Sequence, residues 1–307
     1  MTTNPFFSVV IPLYNKEKYI EATLKSVLRQ TFQDFEIIIV NDGSTDGSLK
    51  SLNSFNDKRI TILQQKNTGL SSARNVGIKQ AKARYIAFLD ADDLWAYDFL
   101  ETMQLLICKN KNYGVFSCTT KIFFNDKSLN LKPSPYKEGA VNLISNYFKF
   151  KKNLFGFSSV VIKKQIFDEI GYFKTNINFG EEEDFNIRCF KKKDLVFYGI
   201  PKAYYRKGTS GQLTSPNKSS NRIIPDYGLY LKNNKNKDLA KYIDFVHYKL
   251  VVLYKMEKNH KLVVFYKNKI DTSNLSFLQK FKYYLPTNLF YILKSTYISL
   301  SKKFIHF

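Results

Sequence analysis

Several kinds of chemistry are missing from this 307-residue chain. Cysteine is scarce: Cys108, Cys118 and Cys189 have no CxxC spacing and are odd in number, which argues against a disulfide framework and fits a reducing compartment. His247, His260 and His306 all lie in the last quarter, so the front of the chain has no imidazole for a His-based triad or a His-ligated zinc. Acid–base chemistry there falls to carboxylates. No run reaches the roughly 18 uninterrupted apolar residues of a membrane span. The start, Met1-Thr2-Thr3-Asn4-Pro5, lacks a basic n-region and a long apolar stretch, so a cytoplasmic protein without a signal peptide is expected. Acidic residues are outnumbered, 26 against 48 basic ones, for a formal net charge of +22. Such a charge points to nucleic acid, an anionic membrane surface or a phosphorylated substrate.

What is present reads as α/β. The apolar content is ample for a core, and the length suits one large domain or one domain with a helical appendage. Strand-like runs at Phe6 to Leu13, Phe35 to Val40, Arg59 to Leu63 and Arg84 to Leu89 alternate with helical patterns at Glu17 to Gln30 and Leu70 to Ala81. Such alternation with short connections predicts βαβ units and a parallel sheet. Asp98 to Lys109 then reads as helix, and Tyr113 to Phe124, Phe157 to Ile162 and Leu195 to Tyr198 as extended chain. A Gly-, Ser- and Asn-rich stretch after Arg206 reads as a linker.

Asp90-Ala91-Asp92-Asp93 directly follows the apolar run Tyr85 to Leu89, where ligands collect at the carboxyl ends of parallel strands. Three neighbouring carboxylates repel one another unless a cation lies between them, and Mg²⁺ or Mn²⁺ with a diphosphate suits hard oxygen ligands. A helix cap with an acidic first turn is the alternative. Asn41-Asp42-Gly43-Ser44 ends an earlier strand, so both acidic loops open on one sheet edge. Asp42 suits a hydrogen bond from a base N–H, or an Asx-turn. In Gly69-Leu70-Ser71-Ser72-Ala73-Arg74-Asn75-Val76-Gly77, Ala73 and Gly77 permit close packing, while Arg74 occupies a first turn where the helix dipole disfavours a cation. Trp95, the sole tryptophan, suits either stacking under an acceptor sugar or the core.

Together, Phe7-Ser8-Val9-Val10-Ile11-Pro12-Leu13-Tyr14-Asn15, Val40-Asn41-Asp42-Gly43-Ser44-Thr45-Asp46, Gly69 to Asn75 and Phe88-Leu89-Asp90-Ala91-Asp92-Asp93 resemble the successive motifs of the family 2 inverting glycosyltransferases. The resemblance is strong for residues 6–110, weaker to about 206 and absent beyond. It implies a GT-A fold, a Rossmann-like, mostly parallel sheet flanked by helices, with a nucleotide-diphosphate sugar as donor. It places Pro12 and Tyr14 along the base pocket, Asp42 on the base, Arg74 in support of the nucleotide, Asp90 near the ribose and Asp92 on Mn²⁺ or Mg²⁺. Gly180-Glu181-Glu182-Glu183-Asp184-Phe185 resembles the family's acidic motif, with Asp184 as general base and Glu183 as its rival; an acidic helix start is the alternative. The Gln-x-x-Arg-Trp motif of the family's synthases is missing, and Tyr204-Tyr205-Arg206-Lys207 lacks the metal-binding His of many members, leaving Arg206 or Lys207 to meet the diphosphate or to stay solvated.

The resulting division is a catalytic domain over 1–206, its nucleotide-sugar half about 1–110 and its acceptor half about 111–206, a linker over 207–225 and a basic helical extension over 226–307. That extension carries 15 Lys, no Arg and 5 acidic residues. Leu289, Leu293, Thr296 or Tyr297, Leu300 and Phe304 form one helical stripe, with Lys294, Lys302 and Lys303 off its centre. The pattern fits a helix lying on an anionic inner membrane face, or one packed on the catalytic domain. No nucleic acid partner is expected, given the lack of Arg in this region and of any recognised binding motif. The expected function is transfer of a sugar to a saccharide or lipid-linked acceptor in surface polysaccharide or lipopolysaccharide assembly. The alternative is a membrane-associated, non-catalytic adaptor that keeps the nucleotide-sugar fold. A nucleotidyltransferase would need a Gly-rich triphosphate loop, which Ile11-Pro12-Leu13-Tyr14-Asn15 is not.

Overall fold

A computed structural model describes residues 4–124, 129–150, 153–209, 212, 215–216, 221–232, 234 and 236–304, with side chains up to residue 298. They fall into two compact units. The first comprises Met1–Tyr147, Asn153–Ser210 and Ile223–Pro225; the second comprises Phe148–Lys152, Gly211–Arg222 and Asp226–Phe307.

The first unit is built on a mixed sheet. Its strands are β1 (Phe7–Leu13), β2 (Phe35–Asp42), β3 (Ile60–Gln65), β4 (Tyr85–Phe88), β5 (Leu94–Trp95), β6 (Val115–Phe123), β7 (Val141–Ile144), β8 (Val160–Lys163) and β9 (Leu195–Arg206). The order is β3-β2-β1-β4-β8-β6-β9-β5, with β7 on β9. The first four strands are parallel, β8 runs antiparallel to both β4 and β6, and β6 lies parallel to β9. The helices are α1 (Ile20–Leu28), α2 (Ser48–Leu52), α3 (Leu70–Gln80), α4 (Phe99–Lys109), α5 (Gln165–Ile170) and α6 (Glu181–Phe190).

β1 is buried along its whole length, as its mostly apolar run requires of a strand covered on both faces, and its polar residue Ser8 donates to Glu36 Oε1 (2.6 Å). Val9, Ile11 and Leu13 share a core cluster with Ile20, Leu24 and Val27 of α1 and Ile37 and Ile39 of β2. Val10, on the opposite face by strand alternation, meets α3 so closely that a Cβ on Gly77 would lie 2.3 Å from its Cγ1. The expected close packing at Gly77 is therefore present. Pro12 lies beyond the last β1–β4 pair, Val10 with Phe88. Val10 C=O accepts the last bond on that side, from Leu89 N–H, so the N–H that Pro12 lacks breaks no pair of the β1–β4 ladder.

The second unit is helical: α7 (Lys237–Met256), α8 (His260–Lys267), α9 (Phe277–Tyr284) and α10 (Thr287–Phe304). Asn236 and Asn259 cap α7 and α8 through their side chains, and Ser276 with Gln279 forms a capping box on α9. Lys255, fully buried on α7, donates to the carbonyls of Lys282 (2.7 Å), Tyr283 (2.9 Å) and Leu285 (2.5 Å). A cation thus closes the carbonyl end of α9, the end that the helix dipole makes negative. No helix among the described residues is long and apolar enough to cross a membrane.

Candidate active site

Because β1, β2 and β4 are parallel, the loops that follow them open on one edge. Backbone and side-chain bonds tie those loops together. Asn15, in the left-handed region at φ 51° that Asn tolerates, donates its N–H to Ser44 Oγ (3.1 Å) and accepts from Thr45 N–H (2.8 Å). Pro12 is buried at the end of β1, and Tyr14 beyond it is exposed. Asp42 is buried and accepts from Gln65 Nε2 (2.7 Å), Thr68 N–H (2.9 Å) and Gly69 N–H (2.9 Å). Three of a carboxylate's roughly four acceptor positions are thereby used, and they fasten β2 to the loop that starts α3. Gly43 sits at φ +71°, and a Cβ there would come within 2.9 Å of Asn67 N.

Arg74 is the junction of the site. It is fully buried, and Nη2 donates to Asp90 Oδ1 (3.0 Å) and Glu182 Oε1 (2.9 Å), while Nη1 lies 3.8 Å from Glu181 Oε1. Its guanidinium lies over the rings of Phe157 (4.8 Å) and Phe173 (5.4 Å). Burial opposes its charge, but the carboxylates of Asp90, Glu182 and Glu181 outweigh that cost and raise its pKa. Arg74 is the fifth residue of α3, just past the first turn expected for it, and these carboxylates account for a buried cation there. The next residue, Asn75, exchanges two bonds with the backbone of Phe173, at 2.8 and 3.0 Å, and so holds the segment leading into α6 against α3.

The three neighbouring aspartates are handled separately. Asp90, partly exposed, belongs to Arg74. Asp92 is held by Lys16 Nζ (2.6 Å) and Thr209 Oγ1 (3.0 Å), both on its Oδ2. Asp93 is buried and accepts from Ser158 Oγ (2.5 Å) and Arg206 N–H (2.9 Å). Burial, with Asp90 and Asp92 nearby, pushes its pKa well above the usual carboxylate range. Arg206 is itself buried, neither a solvated cation nor one exposed for a ligand. Its Nε donates to Asp92 C=O (2.8 Å), and its guanidinium lies near the rings of Tyr19 and Phe123. Trp95 is fully buried, stacked on Phe99 at 4.1 Å, with its indole N–H on Ser158 C=O (2.6 Å); it is a core residue.

On α6 the four carboxylates diverge, since successive side chains turn by about 100°. Glu182 meets Arg74 and remains partly exposed. Burial pushes its pKa up against the pull of Arg74, with Glu181 and Asp90 adding to the rise. Glu183 is half-buried. Asp184, expected as the base, is completely buried and faces other partners: Arg188 Nε (2.9 Å) and Lys174 Nζ (2.9 Å). Arg188 in turn donates to the carbonyls of Ile170, Gly171 and Tyr172, so Asp184 anchors α6 to the end of α5. Sequence reasoning gave no role to Lys16, Ser158 or Thr209. Lys16 alone carried a signal, a cation directly after the Tyr14-Asn15 loop.

Among the described residues no three His, Cys, Asp or Glu side chains form a group able to hold a metal. Asp92 offers one carboxylate, already neutralised by Lys16. These residues fit an ion that arrives with its own diphosphate oxygens, and not one held by protein ligands alone.

The family model for glycosyl transferase family 2 matches residues 8–171, more than half of the chain. Glycosyltransferase GlyG of Streptococcus pneumoniae serotype 4 is 29% identical over 213 residues, covering 65% of this chain and 70% of that protein. An uncharacterized glycosyltransferase of Rickettsia bellii is 45% identical over 115 residues, 37% of this chain and only 16% of the relative. GlyA of S. pneumoniae is 40% identical over 132 residues, 40% of this chain and 19% of the relative. The chain thus spans a fifth or less of the length of these last two. Among solved structures, S. aureus TarS 1-349 in complex with UDP-GlcNAc superposes with a TM-score of 0.63 at 18% identity, over 87% of this chain and 82% of that one. This likeness shows the fold, a GT-A sheet flanked by helices. The matched motifs, carried on that fold, make the chain a member of glycosyl transferase family 2.

Proposed function

We propose that the chain moves one sugar, with inversion, from a nucleotide-diphosphate donor to a saccharide or lipid-linked acceptor in cell-surface polysaccharide or lipopolysaccharide assembly. The Arg74 junction carries this reading: it draws Asp90 from the donor edge of the sheet and Glu182 from α6 to one buried guanidinium. The complex of S. aureus TarS with UDP-GlcNAc supports a nucleotide sugar as donor. We take residues 1–206, without Phe148–Lys152, as the catalytic domain, 207–225 as the linker, with Thr209 reaching Asp92, and 226–307 as the extension. Pro12, Tyr14 and Asp42 line the base pocket, with one acceptor position of Asp42 left for a base N–H. Asp90 and Arg74 serve the ribose side. Asp92 is the protein ligand of Mn²⁺ or Mg²⁺; when bound, such an ion neutralises charge on the departing diphosphate.

Inversion requires a base that takes the acceptor hydroxyl proton as that oxygen attacks the anomeric carbon. Glu182 takes this role in place of Asp184 or Glu183. Arg74 holds its Oε1, which orients the carboxylate and leaves Oε2 to receive the proton. The basic extension keeps the enzyme at the inner face of the cell membrane, where a lipid-linked acceptor would lie.

Glu182→Gln should lower turnover by about 100-fold or more while donor binding persists; Asp184→Asn should lower the melting temperature more than turnover. Near wild-type turnover in Glu182→Gln, beside a folded but inactive Asp184→Asn, would return the base to Asp184. Donor titration completes the test. A panel of nucleotide sugars should raise the melting temperature more with Mn²⁺ than without, and Asp92→Ala should abolish the difference. Absence of any donor shift in the wild type would favour the adaptor.

A further inference from the structure

The helical unit exposes an amphipathic face on α9 that the sequence reading, confined to residues 286–307, did not reach. Phe277, Leu278, Phe281 and Tyr284 are exposed, Phe277 by 84% and Leu278 by 66%. At about 100° per residue these four fall on one side of the helix, with Lys280 and Lys282 on its two flanks. Tyr283 points the other way. It is buried with Tyr248 and Leu275, and its hydroxyl donates to Lys267 C=O (3.2 Å). The burial of Tyr283 and the bonds of Lys255 to the end of α9 fix which way the exposed face looks.

α10, the next helix in the chain, also exposes apolar residues. Leu289, Ile292 and Leu293 are exposed on one side, while Phe290 is buried beside Lys255 and Tyr291 packs under Lys258 at 4.2 Å. Leu300 and Phe304, the far end of the expected stripe, lie outside the residues whose side chains are described. From residue 272 to 307 the sequence has five Lys and no Asp or Glu. An apolar face of this kind, flanked on its own helix only by Lys280 and Lys282, with Asp271 near Lys280 as an acidic neighbour, complements a surface that is hydrocarbon below and anionic above.

We infer that α9, with the exposed side of α10, lies in the plane of an anionic lipid surface, its aromatic face among the acyl chains and Lys280 and Lys282 at the headgroups. This deepens the membrane half of the proposed function and is independent of the transfer reaction. The sign and arrangement of the charges select anionic lipid over a second copy of the chain, whose equivalent face would bring Lys against Lys.

The test is flotation of the full chain with phosphatidylcholine vesicles, with and without phosphatidylglycerol, alongside the Phe277→Ser/Phe281→Ser double variant. Both phenylalanines are exposed, so the variant should melt with the wild type; Leu278→Ser/Tyr284→Ser is a second variant of the same face. Wild type should float with the anionic vesicles, less so in high salt, and the variants should bind about tenfold more weakly or worse. Variants floating as well as the wild type would remove α9 from the contact while leaving membrane association standing. Failure of the wild type itself to float would defeat both. A wild-type dimer that becomes monomeric in the variants, with flotation unchanged, would give the face to a second copy.

Discussion

Arg74 is, among the described residues, the one cation that three carboxylates share in its site, so its loss should reach stability as well as activity. Arg74→Met leaves Asp90, Glu181 and Glu182 facing one another without a cation, at a cost of about 3 kcal/mol. Without the guanidinium Glu181 and Glu182, which burial already raises, bind protons still more readily in the fold than in the unfolded chain. The variant should therefore regain stability relative to wild type as pH falls, a sign that urea midpoints at several pH values will check. The residue scale is also where the sequence is hardest to read. The acidic start of α6 is plain in Glu181 to Asp184, but which carboxylate faces the donor is not. Glu182 and Asp184 stand about 200° apart around the helix, and the choice rests on Arg74, Arg188 and Lys174, which come from distant or unmarked parts of the chain.

At the scale of elements, α3 is set onto β1 by the absence of a side chain. Gly77→Ala would push a methyl into Val10 and should cost about 1–3 kcal/mol, seen as a lower melting temperature. Since α3 carries Arg74, donor affinity should weaken with it. The parallel half of the sheet was legible because β1, β2 and β4 are dense apolar runs separated by helical periods and turn residues. The second half was less so. β9 runs from Leu195 to Arg206, well past the expected Tyr198, because after a register shift its outer residues go on pairing with β6 and take up β5 on the other side. Phe157, expected in a strand, begins a single 3₁₀ turn before β8. That turn places Ser158 against Asp93, a long-range purpose invisible in local propensity.

Over the whole molecule the charge is unevenly placed, and so is the sensitivity to pH. His247 is buried beside Tyr227 and Tyr266, and burial, with Lys269 near, depresses its pKa to about 4. Asp226 and the Lys269 backbone pull it the other way. Between pH 6.5 and 4 the unfolded chain takes up the proton first, so stability falls as pH falls, by on the order of 3 kcal/mol. His247→Phe should remove that component, leaving a flatter dependence of the urea midpoint on pH in this window. The expected chain order of a sheet domain followed by a basic helical part did not anticipate that Phe148–Lys152 belongs with the helices, where Phe148 packs on Tyr242; the segment carries no sequence mark of that destination. The buried ammonium of Lys255 has a consequence in time. Three carbonyls at the end of α9 answer to one side chain on α7, so the short helix cannot fray from that end until α7 gives way. In hydrogen–deuterium exchange the two should open as one cooperative block, and Lys255→Met should let α9 exchange ahead of α7.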